Sequence, residues 1–161
     1  MTNQPKVDRP KMPATYGIHS PTEEAGLLSW SFVSSRMEAA RNYWIASASK
    51  EGRPHTAPVW GLWHRDAFYF STDRNSRKGR NVAAQGTVIV HLESGDEVVI
   101  IEGGAEMVND STLLGELDDL YFKKYSYHLD AGMTYKIYPR IAMAWLERDF
   151  PVTATRWTFP G

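Results

Sequence analysis

Three cations crowd what reads as the first turn of a helix, where helix electrostatics call for acids. The stretch Phe68-Tyr69-Phe70-Ser71-Thr72-Asp73-Arg74-Asn75-Ser76-Arg77-Lys78-Gly79-Arg80-Asn81 reads as a strand, a polar turn and the start of a helix that continues through Val82-Ala83-Ala84. A helix N-terminus carries partial positive charge, so Arg77, Lys78 and Arg80 there ask for a negative partner. Asn75 or Ser76 can N-cap the helix and leave backbone N–H groups directed at the same spot, which is the chemistry of a phosphate site. The alternative is a row of solvated cations on an exposed face.

Such a turn needs a rigid frame to position it. Residues 1–19 carry Pro5, Pro10 and Pro13 among Lys6, Arg9 and Lys11 with no apolar period, and read as a flexible arm; 20–161 reads as one domain. Ser20-Pro21-Thr22-Glu23 and Ser35-Arg36-Met37-Glu38 each carry a capping-box pattern, predicting short helices to about Leu28 and Asn42. Strands are expected at 43–49 and 53–63, a hairpin about Lys50-Glu51-Gly52, and at 67–72. Pro54 and Pro58 cannot donate to a ladder, so the second strand belongs at an edge or a bulge.

Beyond the basic turn, strands at 87–93 and 97–108 flank Ser94-Gly95-Asp96, and Gly103-Gly104 marks a kink or bulge. Asp110 caps a helix with Leu113, Leu114, Leu117, Leu120, Tyr121 and Tyr125 on one face. Strands 134–138 and 141–146 are separated by Pro139-Arg140, and 152–159 is a terminal segment rich in Thr and aromatic residues. About six strands joined mostly by turns predict a mainly β fold with inserted helices, its antiparallel sheet closed or split into a small barrel.

Composition narrows the function classes. A net charge of −1 supplies no general basic field for nucleic acid. Without cysteine there are no disulfides, thiolate metal sites or Cys nucleophiles, and the five histidines lack metal-ligand spacing. No apolar run approaches a membrane span, and the first 20 residues lack the apolar stretch of a signal peptide. The expectation is a cytoplasmic protein with neither membrane nor nucleic-acid partners.

Four segments, taken in order, carry a family resemblance. Gly52-Arg53-Pro54-His55 through Pro58-Val59-Trp60, then residues 69–81, then Glu102-Gly103-Gly104-Ala105, then Ala154-Thr155-Arg156-Trp157 resemble the pyridoxamine 5'-phosphate oxidase-like split-barrel family over about residues 35–158. The likeness is to its flavin and deazaflavin oxidoreductases ending in Thr-Arg-Trp. It implies a homodimer of six-stranded antiparallel split barrels of the FMN-binding type, with the cofactor at the subunit interface. Ser76, Arg77 and Lys78 would hold the phosphate, with Asn81 nearby. His55, Thr56, Ala57, Pro58, Val59, Trp60, Ser71 and Thr72 would line the ring, and Arg156 and Trp157 of the partner subunit would close the site.

The cofactor implied is coenzyme F420 or FMN. Lys78 to Asn81 is similar in spacing to F420-binding members, whereas Ser76-Arg77-Lys78-Gly79 is similar to FMN-binding oxidases; the Pro-Val-Trp and Thr-Arg-Trp segments lean to F420. Arg156-Trp157-Thr158 stands where the true oxidases carry Arg-x-His, so pyridoxamine phosphate oxidation is not expected. The implied chemistry is hydride transfer between the cofactor and a small conjugated or heteroaromatic substrate, with no acid–base residue nominated. Two alternatives stand beside it: a non-catalytic carrier or sensor of the same cofactor, and a haem-binding split barrel using His55, His91 or His128.

Overall fold

The computed structural model describes residues 4–161. Its strands are β1 (Lys6–Asp8), β2 (Tyr43–Ala48), β3 (Pro54–Val59), β4 (Leu62–His64), β5 (Ala67–Ser71), β6 (Thr87–His91), β7 (Glu97–Met107), β8 (Thr134–Leu146) and β9 (Thr155–Thr158). The helices are α1 (Trp30–Ala39), α2 (Arg77–Gln85), α3 (Ser111–Tyr125) and α4 (Phe150–Thr153). Strands run β1-β9-β8-β7-β6-β2-β3 across the sheet, while β5 pairs with both β8 and β4. Every pairing is antiparallel.

The sheet has nine strands where about six were expected, and the physical reasons are local. One strand was expected over 53–63; it breaks at Trp60-Gly61 into β3, which bonds β2, and β4, which bonds β5. The break therefore closes a ring of β2, β3/β4, β5, β8, β7 and β6. Close packing at Gly61 accompanies it: a Cβ there would lie 2.2 Å from the Phe68 ring and 2.7 Å from Tyr69 O. Outside this ring, β9 adds to β8 and β1 adds to β9.

Pro139-Arg140 does not interrupt the strand. It forms a bulge within the continuous β8, where register shifts between Glu102 and Gly103 of β7. Before the bulge β8 also pairs with β5, and after it with β9, so the sheet splits there. Gly103 permits the close approach, since a Cβ would sit 2.2 Å from Tyr138 O.

The N-terminal segment also departs from expectation. Residues 1–3 of the expected arm lie outside the described residues, but Lys6–Asp8 forms a strand against β9. Arg9, 2% exposed, donates to the carbonyls of Glu23, Ala25, Val152 and Ala154. Backbone dipoles thus take the place of a carboxylate around its charge.

The helix expected after Ser20 is instead a pair of turns, with Glu23 N donating to Ser20 O and Leu27 N to Glu24 O. The next helix begins at Trp30, five residues before the Ser35 box, because Trp30 packs against Trp63, Trp157 and Phe159. Aromatic burial outweighs the local cap signal there. The main core lies inside the barrel, and a second cluster forms where Leu117 of α3 covers Leu62, Ala67 and Tyr69. No helix among the described residues is long and apolar enough to cross a membrane.

Candidate anion-binding site

The chain leaves β5 at Ser71 and turns into α2 through a loop locked by short hydrogen bonds. Asp73 Oδ1 accepts from Asn75 N at 2.7 Å, an Asx turn. Ser76 is the N-cap: its Oγ accepts from Gly79 N at 3.0 Å and donates to Asp73 O at 2.7 Å. With the Ser76 proton spent, the 2.9 Å contact with Thr72 Oγ1 has Thr72 as its donor. Gly79 is required, since a Cβ would meet Asp73 O at 2.2 Å.

This turn leaves the N–H groups of Arg77 and Lys78 without a partner among the described residues. The expected cations divide into roles. Arg80 binds Asn75 O within the loop, and Arg77 Nη2 reaches Pro54 O of β3 at 3.3 Å. Lys78, half-buried, has no hydrogen-bonding or ionic partner among the described residues. Two backbone donors and a half-buried ammonium beside a helix N-terminus suit a phosphate dianion. The Ser76 hydroxyl, expected as a ligand, is fully occupied as the cap.

Asn81 does not face this cradle. It is buried, and its amide donates to Ser47 Oγ of β2 at 3.0 Å, fastening α2 to the barrel. Ser47 pairs across the sheet with His55, which places His55 on the same face. His55 titrates below the usual histidine range, first because of desolvation and then because Arg77 and Lys78 stand near. The structure thus brings His55, Arg77 and Lys78 together.

The rest of β3 alternates. His55, Ala57 and Val59 are half-buried on that face, whereas Pro54, Thr56 and Pro58 are exposed on the other, so the side chains of 55–59 do not line a single wall. β3 is a sheet edge, as its prolines require. Since Pro54 and Pro58 lack N–H groups, they and Thr56 point their backbone outward, and Thr56 holds the single outward N–H of that edge. Ser71 bonds Thr134 Oγ1 at 2.9 Å and so secures the loop before β8.

Trp60 turns away from β3 and stacks on Tyr125 at 4.6 Å, with Arg41 over the ring at 5.4 Å. Arg156 is engaged in its own chain, donating twice to Asp8 at 2.8 Å. Trp157 is 1% exposed and packs on Trp30 within its own chain. Four strands separate β9 from β3 in the hydrogen-bonding order. No group of three His, Asp or Glu residues that could hold a metal occurs among the described residues.

Sequence reasoning did not single out Ser47, Asp73 or Gly79. The Asp73-x-Asn75 spacing is an Asx-turn signal and Gly79 three residues after the cap is a packing signal, but nothing local marks Ser47.

Comparison with known proteins bears on the fold and the family. No curated protein sequence matches the chain. Several solved structures share the fold. The conserved hypothetical protein Rv2991 from Mycobacterium tuberculosis is 20% identical with a TM-score of 0.68, over 80% of this chain and 91% of that one. HutZ, the heme storage protein from Vibrio cholerae, is 15% identical with a TM-score of 0.57, over 66% and 87%. An F420 reductase is 18% identical with a TM-score of 0.54, over 67% and 93%. The family model described as pyridoxamine 5'-phosphate oxidase matches residues 33–148, which run from α1 to the end of β8 and include the whole α2 cradle. The chain belongs to the pyridoxamine 5'-phosphate oxidase family of split barrels.

Proposed function

We propose that the protein is a flavin- or deazaflavin-dependent oxidoreductase that anchors the cofactor phosphate at the N-terminus of α2. The observation that carries this reading is the cradle itself: two backbone N–H groups and a half-buried Lys78, all without a partner among the described residues. Bound there, a flavin or deazaflavin supplies hydride transfer at its ring to or from a small conjugated or heteroaromatic molecule. The chain's own residues hold and orient it. Lys78 and the helix N-terminus take the phosphate, Arg77 braces α2 against Pro54, and His55 with the open Thr56 backbone borders the ring.

An open β3 edge supports a homodimer with the cofactor between subunits, since a second copy would cover what one chain leaves exposed. Hydride chemistry in a reducing cytoplasm needs no cysteine, in keeping with this chain.

The test is a side-by-side titration with F420 and FMN, followed by quenching of the six tryptophans. The expected result is tighter binding of F420. Tighter FMN would move the protein to the flavin class, and turnover on no acceptor would make it a cofactor carrier.

Haem is the second reading, and His55 favours it. His19, His64, His91 and His128 each have a hydrogen-bonding or ionic partner, whereas His55 has none among the described residues. A Soret band that disappears in His55→Ala would establish haem as the ligand. Binding of none of the three would end the cofactor proposal.

A further inference from the structure

The surroundings of Lys124 differ from those of a solvated surface amine. On the last turn of α3, its Nζ donates to Tyr43 Oη at 2.8 Å and to Gly61 O at 3.1 Å. Tyr43 is fully buried and donates its own proton to Met37 O at 2.5 Å, so its oxygen is fixed as an acceptor toward Lys124. The single Tyr125 hydroxyl proton is shared between Arg41 O at 2.7 Å and Gly61 O at 2.9 Å. Burial, aided by the charge of Arg41, lowers the amine to about 8. The faces of Tyr43 and Tyr125, 4.8 and 5.2 Å away, pull the other way without offsetting the removal of an ammonium from water.

A neutral amine has two N–H bonds and one lone pair. Tyr43 Oη and Gly61 O take the two hydrogens, so the lone pair is the valence left open. Lys124 lines a cleft of about 450 Å³. Leu62, Trp63 and Leu120 form its apolar wall, and Lys123 and Arg65 set cations at its rim. Glu116, at 3.0 Å from Arg65, also holds His64, which leaves Lys123 as the rim cation outside any ion pair among the described residues. Glu38 completes the titratable groups of the lining.

We propose that Lys124 is a nucleophilic amine that condenses reversibly with a small aldehyde or ketone bearing an anionic group, bound in this cleft. The lone pair of Nζ attacks the carbonyl carbon to form a carbinolamine. One Nζ proton and one proton from solvent, relayed by His64 or Glu38, leave with the carbonyl oxygen as water. The product is an iminium that keeps one N–H for Tyr43 or Gly61. No oxidant or reductant is consumed. The site is separate from the α2 cradle and does not depend on what binds there.

The experiment is reductive trapping on the wild-type protein. Glyoxylate and sodium cyanoborohydride are added near neutral pH, and each lysine is read by peptide mass mapping. A folded protein supplies its own control, because Lys123 is the adjacent, exposed lysine. Carboxymethylation of Lys124 exceeding that of Lys123 by roughly tenfold or more is expected, given the Lys124 amine lowered to about 8 and held by Tyr43 and Gly61. Equal or greater labelling of Lys123 overturns the proposal. Acetaldehyde, the neutral probe, is expected to label Lys124 several-fold more weakly than glyoxylate, and equal labelling overturns the anionic part of the assignment. Lys124→Arg is expected to lose the Lys124 adduct while retaining the far-UV spectrum.

Discussion

The side-chain amide of Asn81 donates to Ser47 Oγ at 3.0 Å, and both residues are buried. That bond joins the helix bearing the anion cradle to the strand that pairs with β3. Asn81→Ala leaves Ser47 without its donor and is expected to cost about 1–3 kcal/mol in urea unfolding. Phosphate-cofactor affinity is expected to fall with it. Unchanged stability would show that α2 is held by its apolar contacts alone.

Gly79→Ala tests the cradle from the backbone side. The new Cβ would lie 2.2 Å from Asp73 O, and a carbonyl in a locked loop cannot swing aside as a side chain can. A loss of about 1–3 kcal/mol is expected. Ser76→Ala, which removes only the cap, is expected to cost about 1 kcal/mol. Thermal unfolding of the two variants side by side checks the ranking.

Lys78→Ala separates binding from stability. With no partner to lose among the described residues, its unfolding midpoint is expected to stay where it is, within about 0.5 kcal/mol. Cofactor binding is expected to weaken by about 1.5–3 kcal/mol, the range for a charged hydrogen bond. Equal dissociation constants for wild type and variant would remove the phosphate assignment.

His55 offers a spectroscopic check. Its imidazolium is disfavoured by desolvation and by Arg77 and Lys78, so its pKa lies below the ordinary value. A phosphate in the cradle adds negative charge and favours the imidazolium, raising that pKa. NMR titration of the His55 ring with and without inorganic phosphate is expected to show the upward move, reversed by Lys78→Ala. A ring insensitive to phosphate would place the anion elsewhere.

The Asp8–Arg156 pair predicts how the N-terminal strand responds to acid. Hydrogen bonding from Arg156 holds the Asp8 carboxyl below its usual range. A carboxylate depressed on folding stabilises above its unfolded pKa, and that contribution is lost as pH falls through the folded value. Amides of β1 are therefore expected to lose hydrogen-exchange protection below about pH 4 before the barrel strands do. Asp8→Asn is expected to expose β1 already at neutral pH, at a cost of up to about 2 kcal/mol.

Much of this molecule is written in short stretches of the chain. Ser76 as the cap of α2, Asp110 capping α3 through Thr112 and Leu113, and the proline-bearing edge strand depend on residues within a few positions of one another, so spacing alone revealed them, whereas the bulge falls on Pro139-Arg140 across the sheet from Gly103. The same holds for the family, whose segments are read in order. Local signals failed where burial competed with them. The Ser20 box gave way to turns, and α1 began early because Trp30 found an aromatic pocket made by Trp63, Trp157 and Phe159.

That Gly61 breaks one strand in two and closes the ring is visible only in the folded chain, because the crowding atoms belong to Phe68 and Tyr69 on the neighbouring strand. Folding also turned the end of the expected arm into a strand, through contacts 148 residues apart between Asp8 and Arg156. Trp157 is buried against Trp30 of α1, and Lys124 acquired its environment from Tyr43, 81 residues away. The frame and the charge and capping pattern of the α2 turn are legible in the chain alone, since charge and capping act within one turn of helix. Which side chains were desolvated, and hence which amine or cation is free to react or bind, depended on distant segments meeting, and no local pattern encodes that.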